Sequence, residues 1–187
     1  MILLPRPFCL IRHGQTDANR DRIIAGRTEA QLTEAGRVAA RALATRPWPE
    51  ALALFASPQQ RALETARLGF PGRAPEPVAG LRERDWGIFE GRPTALQPPR
   101  LTVPEEGESW EAVVDRVAAA IRHCQELAGE ALPVMVAHSG TIRAARQLTG
   151  GSCEGPSPVN AVPTLFLPLP EDGGWRETGL AELARGG

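Results

Sequence analysis

Three short stretches of the chain set histidine or arginine beside a chain-bending glycine or proline. They are Arg12-His13-Gly14, Ser57-Pro58 with Arg61 shortly after, and His138-Ser139-Gly140. Arginine forks match phosphate oxygens two at a time. A neutral imidazole is a competent nucleophile at phosphorus, provided one ring nitrogen holds a proton against an acceptor and the other presents its lone pair. Nearby guanidinium charge favours that neutral form. A second imidazole can stabilise charge on the group in transit, and helix N-termini after Ser57 and Ser139 would add backbone donors for an anion. Taken singly, each residue has a blander account. Arg12 and His13 are adjacent, so a straight strand would aim them at opposite faces, and Gly14 must bend the chain for both to meet one ligand. Arg61 can pair with Glu64 on its own helix. Two histidines and two arginines at three strand ends are harder to assign to chance.

Each stretch follows an apolar run that reads as a buried strand: Phe8 to Arg12, Leu52 to Ala56 and Pro133 to Ala137. Between them lie helical patterns. One is capped by Thr33 and runs to about Arg46, with Val38, Ala39, Ala42 and Leu43 on one face, and Pro47 ends it. Another opens at Ser57-Pro58 and runs to about Leu68, with Pro in the permitted first turn. The clearest is capped by Ser109 and repeats Trp110, Val113, Val114, Val117, Ile121, Cys124 and Leu127. A fourth follows Gly140 to about Leu148, and Leu165 to Leu169 and Trp175 to Leu183 suggest two terminal strands. The stretches 69–80 and 92–107 read as irregular. Alternating elements with continuously apolar strands predict an α/β fold. It would be a single-domain three-layer αβα sandwich over 1–187, with a mostly parallel central sheet. Ligands of such sheets bind beyond the carboxyl ends of the strands, where the three stretches fall.

Composition narrows the chemistry. All 21 basic residues are Arg, and Tyr is also absent. Without Lys there is no P-loop, no Schiff-base or pyridoxal enzyme and no protein kinase in their usual forms. The net charge of −1 gives no basic excess for nucleic acid or a membrane surface. Cys9, Cys124 and Cys153 lack CxxC spacing, and with only three histidines (His13, His123 and His138) no zinc pattern forms. His123 and Cys124, on the long helix, read as structural, as do Trp48, Trp110 and Trp175; Trp86 is divided between burial and lining a pocket. No metal or cofactor is expected, nor a membrane span or secretory leader, and a reduced, cytoplasmic protein is expected, as monomer or homodimer.

The motifs resemble one family. Leu10-Ile11-Arg12-His13-Gly14-Gln15-Thr16 is similar to the RHG(E/Q)T signature of the histidine phosphatase superfamily, the phosphoglycerate mutase-like proteins. Asn19, Gly26 with Leu32-Thr33-Glu34-Ala35-Gly36, Ser57 to Ala66, Leu81 to Gly91, Gly107-Glu108-Ser109 with Arg116, Val136 to Gly140 and Asn160 resemble its further motifs in order. The resemblance implies the phosphoglycerate mutase-like fold and the small phosphatase branch. It implies His13 as the nucleophile that becomes phosphohistidine. Arg12, Arg61 and His138 would bind the phosphoryl group, with Asn19 and Ser139 beside them. Glu83 would be the general acid. The residues alone do not choose among Glu83, Asp85 and Glu90.

The implied activity is metal-independent hydrolysis of a small phosphorylated metabolite, as in α-ribazole phosphate phosphatases or broad-specificity phosphatases. Alternatives are a cofactor-dependent phosphoglycerate mutase and a non-catalytic phosphate-binding module. The short span from Gly91 to Glu106 leaves room for only a small lid, which favours hydrolysis. Three departures stand out. Gln59 replaces the motif's Leu, read as a surface-compatible change. Glu29 replaces a common Asp, bearing on substrate contacts. Ser139 replaces a Gly, adding a hydroxyl near the phosphate.

Overall fold

The computed structural model describes residues 3–169 and 173–185. Its centre is a six-stranded sheet of β1 (Phe8–Arg12), β2 (Leu52–Ala56), β3 (Glu76–Pro77), β4 (Leu132–Ala137), β5 (Pro163–Pro168) and β6 (Trp175–Thr178), in the order β3-β2-β4-β1-β5-β6. The first four positions in that order are parallel, whereas β5 pairs antiparallel with β1 and β6 antiparallel with β5. β4 slots between β1 and β2, pairing Ala137 with Arg12 and Val136 with Ala56. The carboxyl ends of all three apolar strands therefore lie side by side.

Alternation along the strands builds the three layers. Phe8, Leu10, Phe55, Met135 and Phe166 face one side, where they meet α4 (Trp110–Ala128) and α5 (Ser139–Leu148). Cys9, Ile11, Leu54, Val134, Val136 and Leu165 face the other, against α3 (Gln60–Gly69) and Leu43 beyond α2 (Glu34–Arg41). Burial on both faces explains why the strand sequences are continuously apolar. The expected α/β sandwich is the fold observed. Among the described residues no helix is long and apolar enough to cross a membrane.

Local expectations hold where a cap decides them. Thr33 accepts the Gly36 N–H and Ser109 the Ala112 N–H, so α2 and α4 start where predicted. Other details differ. α2 tightens into a 3-10 turn after Arg41, and its inward residues are Gly36, Ala40 and Leu43, leaving Val38 and Ala42 in solvent. Leu127 likewise lies on the open side of α4. α3 begins at Gln60, so Pro58 precedes the helix rather than occupying its first turn. The last strand stops at Thr178 before a 3-10 segment. The two-residue β3 lies in a stretch read as irregular, and a short helix α1 (Asp17–Arg20) follows β1. Trp48 packs tilted against Phe70, Trp175 meets Phe8 edge to face, and Trp110 packs into the core with its indole N–H on Gln147.

Candidate active site

The site grows from the ends of β1, β2 and β4. β1 ends at Arg12, and the chain bends at once: the Gly14 N–H leaves the sheet for Thr65 Oγ1 at 2.9 Å, and that hydroxyl donates to Arg61 O at 2.7 Å. Glycine is needed at position 14 because a Cβ there would sit 2.5 Å from the Gly36 carbonyl oxygen. β1 ends just before His13, whose N–H still bonds Ala137 O at 2.9 Å, and the Arg12 charge acts on the His13 ring.

His13 and His138 are buried, with ring centroids 5.2 Å apart. His13 Nδ1 lies 2.7 Å from Gly14 O. A carbonyl only accepts, so Nδ1 carries the proton and Nε2 keeps its lone pair. Burial is the main force holding both imidazoles neutral well below the ordinary histidine range. The Arg61 and Arg12 charges add to this at His13, and Arg61 leads the charged groups at His138. His138 Nε2 meets Ser57 Oγ at 2.8 Å. Asn160 donates to His13 O at 2.7 Å and Arg12 Nη1 to Pro158 O at 2.8 Å, so the 157–161 segment braces this end of β1.

Arg61 does not pair with Glu64, which belongs to Arg37. Its guanidinium donates instead to the carbonyls of Ala25, Gly26 and Thr28. The buried Nε atoms of Arg12 and Arg61 and His138 Nδ1 have no partner within the protein. Two guanidinium N–H donors and one imidazole nitrogen are thus left unpaired beside two neutral rings, the character of an anion site. The α3 terminus contributes less than expected, since its Gln59 and Gln60 N–H groups already bond Ser57 Oγ and Glu29 Oε2. Glu29 is thus a helix-end acceptor whose charge also acts on Arg61.

Arg12, Asn19, Glu83, Ser139 and Gly140 line one cavity of about 150 Å³, together with Ile24, Trp86 and Arg100. Asn19 Oδ1 accepts the Thr16 N–H and an Asn160 amide hydrogen. Ser139 Oγ accepts from Arg143 at 3.3 Å. The structure also separates the three carboxylates. Glu83 faces the cavity, its oxygens accepting the Arg84 and Gly140 N–H groups at 2.8 and 3.2 Å. Gly140 has no side chain because a Cβ would collide with that carboxylate. Asp85 bonds Arg27 and the Gly87 N–H; it shares an adjoining cavity with Glu83 but does not line the one that holds Arg12, Ser139 and Gly140. Glu90 accepts four backbone N–H groups, from Gly26, Arg27, Thr28 and Trp86, and so latches the strap that holds Arg61.

A family model described as histidine phosphatase superfamily (branch 1) matches residues 8–158. The chain belongs to that superfamily. Relatives in it include "Phosphoglycerate mutase-like protein 4" of Arabidopsis thaliana, 29% identical over 72% of this chain and 66% of its own length. "Probable phosphoglycerate mutase GpmB" of Enterobacter sp. is 30% identical over 69% of this chain and 67% of its own length. The chain thus spans about two thirds of these curated relatives. Among solved structures, TTHB049 of Thermus thermophilus is 28% identical, covering 93% of this chain and 99% of its own with a TM-score of 0.72. Rv3214 of Mycobacterium tuberculosis is 25% identical, covering 94% and 96% with a TM-score of 0.79. An Escherichia coli protein provisionally named an alpha-ribazole-5'-P phosphatase shares the fold, with a TM-score of 0.78 over 95% and 96% of the two chains at 23% identity.

Two contributors to this superfamily site are not legible in the sequence. Gln59, read as a surface exchange, is buried; its amide donates to Gly26 O and accepts the Glu83 N–H, each at 2.8 Å. Arg84, not singled out at all, is 1% exposed and lies 4.4 Å over the Trp86 ring, donating to the carbonyls of Arg100, Thr102 and Glu108. A charged residue between Glu83 and Trp86 gives no periodic signal of burial; only the carbonyls that surround it do.

Proposed function

We propose that this histidine phosphatase superfamily member is a phosphomonoesterase that hydrolyses a small phosphorylated metabolite through a phosphohistidine on His13. The carrying observation is the His13 ring: buried, neutral, its Nδ1–H tied to Gly14 O and its partner His138 5.2 Å away. In the first step Nε2 attacks phosphorus, the bond to the leaving oxygen breaks, and the Glu83 carboxyl donates a proton to that oxygen. Arg12, Arg61 and His138 hold the phosphoryl oxygens, with Asn19 and Ser139 at the cavity wall. In the second step the Glu83 carboxylate takes a proton from water and the resulting oxygen attacks phosphorus. The P–Nε2 bond breaks, returning its electron pair to the ring and releasing inorganic phosphate. Neither step draws on a metal or cofactor.

The 150 Å³ cavity supports a small substrate. Its polar side, from Thr94, Gln97 and Arg100, suits a hydroxylated or charged leaving group, and α-ribazole 5′-phosphate belongs in the first substrate panel. The names of the curated relatives favour testing a mutase as well. The experiment is p-nitrophenyl phosphate hydrolysis in the presence of EDTA, followed by a panel of phosphorylated metabolites. Turnover with acid-labile phosphate on His13 is expected. Conversion of 3- to 2-phosphoglycerate faster than phosphate release would establish the mutase instead, and phosphate binding with no turnover would establish a binding module.

A further inference from the structure

We propose that Gln59 is a positioning residue that holds Glu83 in register with the phosphoryl site, an inference resting on the acid role given to Glu83 above. Four features of the structure lead to it.

First, Gln59 is 6% exposed, although it opens α3 at the rim of the sheet. Second, both ends of its amide are committed with unambiguous polarity. The Glu83 N–H can only donate, so it must meet Oε1; the Gly26 carbonyl can only accept, so it must meet Nε2. Third, the two partners belong to the two halves of the site. Gly26 O also receives Arg61 Nη2, at 2.7 Å, so the strap that fixes the phosphate-binding arginine and the backbone of the proton carrier are tied to one side chain. Fourth, the far side of Glu83 is braced independently: Arg116 donates to the carbonyls of Gly80, Arg82 and Glu83. Gln59 and Arg116 thus hold the peptide N–H and the carbonyl of one residue from opposite sides. The leucine of the related motif could make neither of the Gln59 bonds. In this chain it would leave the partly buried Glu83 N–H without its partner and lose one of the bonds to a shared carbonyl, so that Arg116 alone would brace the Glu83 main chain. A shift of about 1 Å is enough to cost a reaction roughly 100-fold.

The test uses leaving-group dependence, which a loss of general stability does not alter. Protonation of the leaving oxygen matters little for p-nitrophenolate and greatly for an alkoxide, and kcat/KM reports the step that phosphorylates His13. For wild type, Gln59→Leu, Gln59→Met and Glu83→Gln, kcat/KM is measured with p-nitrophenyl phosphate and with glycerol phosphate at one pH. Glu83→Gln sets the scale by losing far more activity on glycerol phosphate than on the nitrophenyl ester. Gln59→Leu is expected to move in the same direction, losing on the order of ten times more on glycerol phosphate. Gln59→Met, similar in length and equally unable to bridge, should repeat the result, and it carries the test if the Leu variant does not fold. Equal losses on the two substrates in a folded Gln59 variant, alongside a clear split in Glu83→Gln, would overturn the role of Gln59 and leave the phosphatase reading standing. A wild-type chain that hydrolyses neither ester would overturn the phosphatase reading and this inference with it, whereas a Glu83→Gln variant with no split would overturn the acid role of Glu83 and, through it, the role of Gln59.

Discussion

The candidate site has a floor of strand-end residues, of which Arg12 lines the cavity, and a roof of loop residues, and the two are built by different means. The floor, Arg12, His13, Arg61 and His138, hangs from strand ends and the first turn of a helix, and its positions follow from the register of β1, β2 and β4. The roof, residues 82–108, contains only 3-10 turns before α4 starts. It is held by individual charged side chains turned inward onto backbone groups: Arg84 onto three carbonyls, Arg116 onto three more, Glu90 onto four N–H groups. A sheet ladder satisfies its own backbone, whereas an irregular segment must borrow side chains to do so. The difference predicts that substituting His13 damages chemistry with little effect on stability, and that roof substitutions damage stability first; Arg61, which like Arg84 serves three carbonyls, should do both.

The largest effect should come from the floor. His13→Ala is expected to lower kcat on p-nitrophenyl phosphate by about 10⁴-fold or more, while its melting temperature stays within a few degrees of wild type. Turnover at the wild-type rate would remove the nucleophile from the floor. At the roof, Arg84→Met keeps the bulk but strips three carbonyls of their donor, and the loss should be about 3 kcal/mol. For a domain of this size that is roughly a 10 °C fall in Tm by calorimetry. An unchanged Tm would show that the roof does not depend on its buried cation. Glu90→Gln keeps the shape of the latch but sets an amide NH₂ among four N–H donors. A loss of about 2 kcal/mol is expected, with a rise in KM as the Arg61 strap loosens.

The smallest effect concerns pH. Both floor imidazoles are held neutral below the ordinary value of 6.5, while the unfolded chain titrates near that value. As pH falls below about 6.5 the unfolded state takes up protons first. Stability is therefore intact above that point and declines toward the lower folded values. Between pH 7.5 and 5.5 the two rings should account for about 1 kcal/mol each. Denaturant titrations of wild type and a His13→Gln/His138→Gln double variant would show it as a steeper acid decline in wild type, and parallel curves would contradict the neutral assignment.

Legibility follows the same division. The floor residues are readable because apolar strands end in Arg-His-Gly and His-Ser-Gly, and fold-level rules place such ends together. At the roof, Glu83, Asp85 and Glu90 are three carboxylates in one acidic stretch, and nothing in their order separates a cavity-facing acid from an ion-pair partner or a latch. Gln59 misleads for a related reason: a polar residue after Ser-Pro looks like surface, and its burial depends on Glu83 and Gly26 arriving from elsewhere in the chain.

The linear chain determined the layers, the strand ends and the types of group that gather at them, because period, apolar runs and caps are local properties of neighbouring residues. Tertiary structure alone decided which carboxylate faces the cavity, that Arg61 serves three carbonyls rather than Glu64, and that Gln59 and Arg84 lie buried. The physical reason is that a buried polar side chain is stable only where distant backbone groups meet it, and those partners are brought within hydrogen-bond reach by folding, not by sequence spacing.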